Sequence, residues 1–122
     1  MRKETIAGAK ALAAEKKSAI SCPIMTQTLD LVRGKWKPVL LYHLSTGGPR
    51  RFGQLLRLLG GHVTQHTLTQ QLRELEHDGL VHRTVYAEVP PRVEYSLTDK
   101  GRSLRALMDQ VYSWGEQHIA QS

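Results

Sequence analysis

Residues 64–86 read TQHTLTQQLRELEHDGLVHRTVY, and the hydrophobic spacing changes once within them. Leu68, Leu72 and Leu75 recur at i, i+4 and i+7, which puts them on one stripe of an α-helix. After Asp78-Gly79 the period falls to two, and Leu80 to Tyr86 alternate with β-branched residues, as a half-buried strand does. Thr64 suits an N-cap, because its hydroxyl can accept from an amide of the first turn that has no helical partner. Asp78-Gly79 suits the stop. The stretch predicts a helix over 65–77 that passes directly into a strand.

Beyond it, Pro90-Pro91 breaks the strand and Arg92 to Leu97 alternate again. This predicts a hairpin whose turn is too long for a two-residue loop. Thr98 then caps a final helix reaching about Ile119, apolar at Leu104, Leu107, Met108, Val111, Trp114 and Ile119.

Before residue 64, Gly60-Gly61-His62-Val63 make a tight connection from a short helix over 52–59 with Phe52, Leu55, Leu56 and Leu59 on one side. A helix over about 35–44 precedes it, with Pro38 tolerated in the first turn and Trp36, Val39, Leu40 and Leu44 inward. Gly47-Gly48-Pro49 stop that helix. Ser21-Cys22-Pro23 open an earlier one that ends at Gly34, with Met25, Leu29 and Val32 as its stripe. Residues 1–20 read as a docked helical arm or a frayed tail.

The fold class expected is mainly α with a small β-hairpin wing. Residues 21–98 form the winged helix-turn-helix, and 99–122 form a terminal helix of the same globular unit.

The chain has 122 residues, one cysteine and a net charge of +6. That length fits one domain. A lone cysteine excludes an internal disulfide framework and a Cys-based zinc module. No apolar run approaches the roughly 20 residues that cross a bilayer, and the N-terminus lacks the apolar core of a signal peptide. The chain reads as soluble and cytoplasmic. The charge is uneven: residues 1–20 carry +3 and 21–63 carry +5, whereas 64–80 carry −2 and the remainder is neutral. A basic first half points to a polyanion, nucleic acid before membrane.

Two helices joined by a glycine turn and followed by a hairpin match a helix-turn-helix with a wing. In that plan the helix over 52–59 packs across the start of the helix over 65–77 and presents the outer side of the latter to a DNA major groove. Thr64, Gln65, His66, Thr69, Gln70 and Arg73 lie on that side. Amides and arginine can make bidentate contacts with base edges, and threonine can touch a thymine methyl. Acids are absent from Gln65 to Arg73, so the leading end carries nothing that repels phosphate. Lys35, Lys37, Arg50, Arg51 and, on the wing, Arg92 are the candidate contacts to the DNA backbone. The terminal helix has a wider apolar stripe than so small a domain needs. Pairing two copies through it would bury the stripe and set two groove helices about one DNA turn apart, against an inverted repeat.

Several blocks of this sequence resemble the HxlR-type winged-helix regulators. They are Cys22-Pro23, Leu29 to Trp36 with Leu40-Leu41, Arg51-Phe52, Leu68 to Leu75, Asp78-Gly79-Leu80, and Val89 to Thr98. The likeness runs over about 21–119. It implies bacterial cytoplasmic transcription regulators that bind double-stranded DNA as homodimers through their terminal helices. It also implies that in some members the cysteine equivalent to Cys22 senses oxidants or electrophiles.

Cys22 at a helix N-terminus occupies an environment in which thiols react, although free cysteines are also common core fillers. A small-molecule effector fits the plan, but no residue pattern marks its site. No cofactor and no metal are expected: His62 and His66 are separated by a turn and a cap, and no third ligand is evident. There is no phosphate-binding glycine loop after a strand, and Glu74 and Glu76 point to different sides of their helix, so no catalysis is expected. The competing reading is a winged helix used as a protein-interaction module, its basic half only solvating.

Overall fold

In the computed structural model, residues 22–120 are described, and the expectation for residues 1–20 lies outside them. The chain divides into two compact units, Met1–Arg33 and Gly34–Ser122.

In the first unit, α1 runs over Pro23–Leu31 with Cys22 at its N-cap and proline in its first turn. The missing proline N–H would be unpaired there in any case. Met25 and Leu29, expected to face inward, are exposed, and α1 buries none of its residues.

The second unit contains α2 (Lys37–Gly47), β1 (Arg50–Arg51), α3 (Phe52–Leu58), α4 (Gln65–His77), β2 (Val81–Tyr86), β3 (Arg92–Leu97), α5 (Asp99–Arg102) and α6 (Arg105–Gly115), and it ends in a π-helical turn over Glu116–Ala120. Helices with a small antiparallel sheet of order β1-β3-β2 make it a winged helix-turn-helix. The hairpin register pairs Val81 with Leu97 and Tyr86 with Arg92. β1 was not foreseen. It is two residues long, too short for alternation to show, and it exists only because β3 pairs Arg50 with Tyr95 and Arg51 with Glu94.

The core is built from Leu40, Leu41 and Leu44 of α2, Leu55 of α3, Leu68, Leu72 and Leu75 of α4, and Leu80, Val81 and Leu97 around the hairpin. Each fully buried leucine contributes on the order of 2 kcal/mol through removal of apolar surface from water. The nearest neighbours of α4 are β2 and α2, and those of α3 are β1 and β3, so the sheet supports both helices and α2 supports α4 as well. Trp36, expected inside, is half-buried with the Lys35 ammonium 5.0 Å from its ring centroid.

The end of α4 shows why the helix passes straight into a strand. Gly79 takes φ +77°, a conformation that costs a residue with a Cβ. Its N–H then reaches the carbonyl of Glu76 at 3.0 Å, and the N–H of Leu80 reaches that of Leu75 at 2.9 Å. These bonds satisfy carbonyls the helix would leave open, in the Schellman pattern. Leu75 and Leu80 are both fully buried.

The final helix, expected to be continuous from Thr98, is broken at Ser103-Leu104 into α5 and α6. Thr98 does cap its start, accepting from the N–H of Gly101 at 3.0 Å, and its hydroxyl donates to the carbonyl of Gly79 at 2.5 Å. One side chain thereby ties the wing exit to the end of α4.

Candidate nucleic-acid interface

The candidate surface is the outer side of α4. Thr64 holds extended backbone before the helix, and its hydroxyl accepts from the N–H of Thr67 at 3.0 Å. That hydroxyl also donates to Oγ1 of Thr67 at 3.0 Å, so Thr64 sets the helix start and its oxygen is already engaged at the cap. Gln65, His66, Gln70 and Arg73 are exposed, Thr69 is half-buried, and Leu68, Leu72 and Leu75 are turned to the core. With the leucines anchored on α2 and β2, the amide-bearing side is left facing outward. Among the described residues Arg73 makes no ion pair, whereas the amide nitrogen of Gln70 donates to Glu74 Oε2 at 3.3 Å.

The expected backbone contacts divide. Lys35 and Arg51 are exposed, as phosphate contacts must be, and Arg51 stands at the N-cap of α3, where its N–H donates to Gln54 Oε1 at 2.8 Å. Lys37 is placed differently from the expectation. It is 5% exposed, and its ammonium meets Glu74 Oε1 at 2.5 Å. The helical turn of α2 carries it toward α4, so its charge is met by a carboxylate of that helix. Arg50 is half-buried and folds back across the end of α2, donating from Nε to the carbonyl of His43 at 3.2 Å. Burial, and next the charge of Arg50, hold the His43 imidazole below its ordinary pKa of 6.5.

Arg92, expected as a backbone contact of the wing, is engaged within the wing. Its guanidinium lies 4.0 Å from the ring centroid of Tyr86, with Glu88 Oε2 at 2.9 Å and Glu94 Oε2 at 3.3 Å. The wing spends this cation on its own shape, as two carboxylates and an aromatic face outcompete solvent for a half-buried guanidinium. Beside it the tip carries a fully exposed Val89, joined to Pro90 by a cis peptide bond. Arg83 approaches Glu76 Oε1 at 3.8 Å.

Of the residues expected at a dimer contact, Met108 is buried within its own unit and Leu104 is half-buried. Leu107, Val111 and Trp114 of α6 and Ile119 of the π-helical turn are 47–65% exposed. Trp114 stacks on His118 with ring centroids 4.4 Å apart, and Tyr112 stacks on Tyr42 of α2 at 5.3 Å. Cys22 is exposed at the start of α1. No group of three His, Cys, Asp or Glu among the described residues could hold a metal ion, and no described helix is long and apolar enough to cross a membrane.

Sequence reasoning missed the pairing of Glu74 with both Lys37 and Gln70. The i, i+4 spacing of Gln70 and Glu74 was a readable signal. The approach of Lys37 was not, because it depends on how α2 meets α4.

This geometry has close counterparts. Over 97 residues the chain is 53% identical to the HTH-type transcriptional regulator YdeP of Bacillus subtilis (strain 168), covering 80% of this chain and 73% of that protein. It is 50% identical in sequence to the redox regulator HypR, solved in its oxidized form, with a TM-score of 0.73 over 80% of this chain and 97% of that one. The reduced form of the transcriptional regulator YodB from B. subtilis is 31% identical, with a TM-score of 0.70 over 84% of this chain and 99% of that one. The HxlR-like helix-turn-helix family matches residues 31–122, and the chain belongs to that family of transcription regulators.

Proposed function

We propose that the protein is a homodimeric, sequence-specific DNA-binding regulator that works in the cytoplasm, places α4 in the major groove of an inverted-repeat operator, and performs no catalysis. The observation that carries this reading is the outer side of α4. Its anchoring leucines are buried, while Gln65, His66, Gln70 and Arg73 stand exposed with no acidic residue before Glu74. Donors and acceptors on a convex rod of helical width suit base edges, and cations at Lys35 and Arg51 suit the flanking phosphates. Leu107, Val111, Trp114 and Ile119 supply an apolar side for a second copy. Pairing removes that side from water and duplicates the groove helix at the spacing of a palindromic site.

Selection from randomised duplex DNA followed by titration over salt tests the reading. Affinity for the selected duplex falls with salt, with a slope of about −0.9 in log–log form for each phosphate neutralised. Gln65→Ala and Gln70→Ala each cost about 1–3 kcal/mol on the selected duplex and little on random DNA. Equal losses on both would reduce these residues to backbone contacts. Salt-independent binding, or none, would favour the protein-interaction module. A monomeric mass by light scattering would remove the dimer.

The signal belongs to the same reading. Cys22 is exposed at a helix N-terminus, and two similar solved structures are those of the redox regulator HypR and of YodB treated with diamide. Mild oxidation therefore changes affinity for the selected duplex, and Cys22→Ser abolishes that change. Identical affinities before and after oxidation would end the sensor role.

A further inference from the structure

A buried cation stands behind the exposed side of α4. Lys37, 5% exposed at the start of α2, holds Glu74 Oε1 at 2.5 Å, and the other carboxylate oxygen of Glu74 accepts from Nε2 of Gln70 at 3.3 Å. A carboxylate only accepts, so of the two ends of the Gln70 amide only the nitrogen can face it. The amide carbonyl oxygen of Gln70 is then left as the acceptor available to a partner outside the protein. With Oε1 of Glu74 engaged by an ammonium that the packing of α2 holds in place, the carboxylate is not free to turn away.

We infer that Glu74, fixed by Lys37, is a positioning residue that sets the direction of the Gln70 amide, and that Gln70 therefore reads a base pair through its exocyclic amino group. In the major groove each pair offers one such donor, N6 of adenine or N4 of cytosine, beside acceptors on its partner base. An amide locked with oxygen outward seeks the donor, and an amide free to flip does not discriminate. This rests on the groove reading of α4 given above. It goes beyond that reading by naming the group recognised and the two residues, neither of which need touch DNA, that choose it.

Glu74→Gln tests the assignment while keeping the ion pair's shape. The introduced amide turns its carbonyl to the Lys37 ammonium and its NH2 to Gln70, so Gln70 inverts and presents its own NH2 outward. The full-length protein and its Gln70→Ala, Glu74→Gln and Lys37→Met variants are each used to select from duplex DNA with a randomised central segment. The position in each half-site whose preference Gln70→Ala relaxes is the one Gln70 reads. Duplexes are then made in which the adenine or cytosine of that pair lacks its exocyclic amino group.

The unsubstituted protein loses about fivefold or more in affinity on the amino-deleted duplex. Glu74→Gln becomes insensitive to the deletion and selects a different base at that position, and Lys37→Met selects weakly among all four. Thermal denaturation of each variant separates a fold defect from this effect. A lowered stability with the same base preference and the same amino sensitivity would overturn the assignment and leave Lys37 and Glu74 a structural pair only. Selection of no motif at all by the unsubstituted protein is a different result, since it removes the groove reading together with what rests on it.

Discussion

The α-carbon of Gly101 in α5 is set directly against the carbonyl oxygen of Leu80, the residue that joins α4 to β2. A Cβ on Gly101 would overlap that oxygen and lie 3.1 Å from the Leu80 carbonyl carbon and 3.2 Å from Cδ2 of Leu97. The same carbonyl accepts from the N–H of Thr98 at 3.1 Å, so it has little room to withdraw. The terminal helix is thus seated on the turn between α4 and the wing by the absence of one methyl group.

Gly101→Ala therefore destabilises the protein by about 2–3 kcal/mol, as overpacking against backbone does, although alanine is the better helix former. Urea denaturation measures it. A stability equal to or above that of the unsubstituted protein would show that α5 can shift freely on the wing.

The two members of the Lys37–Glu74 pair are unequal, because Lys37 is buried and the Glu74 side chain is 41% exposed. Lys37→Met leaves a carboxylate that water can reach and costs about 1–2 kcal/mol. Glu74→Ala strands an ammonium inside the domain and costs more, about 3 kcal/mol. Chemical denaturation of both variants checks the order, and the reverse order would mean that the ammonium finds another acceptor.

Arg92→Ala separates shape from DNA contact. The variant loses two ion pairs and the stacking on Tyr86, for a stability cost of about 1–2 kcal/mol. Because the guanidinium is engaged within the wing, the salt slope of DNA binding stays as it was. A slope reduced by about 0.9 would instead make Arg92 a phosphate contact.

His43 titrates below 6.5, through burial first and the neighbouring Arg50 second. Proton NMR of its ring reads the midpoint directly, and Arg50→Gln moves it part of the way back up. In the window just below 6.5 the unfolded chain binds this proton more readily than the folded one. The contribution of His43 to stability is therefore complete above that window and declines as pH falls through it. A midpoint at or above 6.5 would contradict the burial of the ring.

Some features were legible because they are local. Leu68, Leu72 and Leu75, capped by Thr64 and stopped at Gly79, name a helix of stated length from spacing and turn chemistry alone, and α4 spans the residues expected of it. The alternation in Arg92 to Leu97 likewise marked a strand. β1 and the break at Ser103-Leu104 were hidden, the first because its only reason is the neighbouring strand, the second because the apolar period continues across it.

The same division holds at the candidate site. Sequence alone determined which side of α4 is polar, since a helix that buries three leucines must turn its amides the other way. Only tertiary structure decided which cations remain on the surface. Lys37, Arg50 and Arg92 look alike in a list of basic residues. The approach of α2 to α4, the fold-back over Gly47 and the stacking on Tyr86 each give one of them a partner inside the protein. Charge is a property of the residue, but its availability depends on which neighbours the packed chain brings within reach.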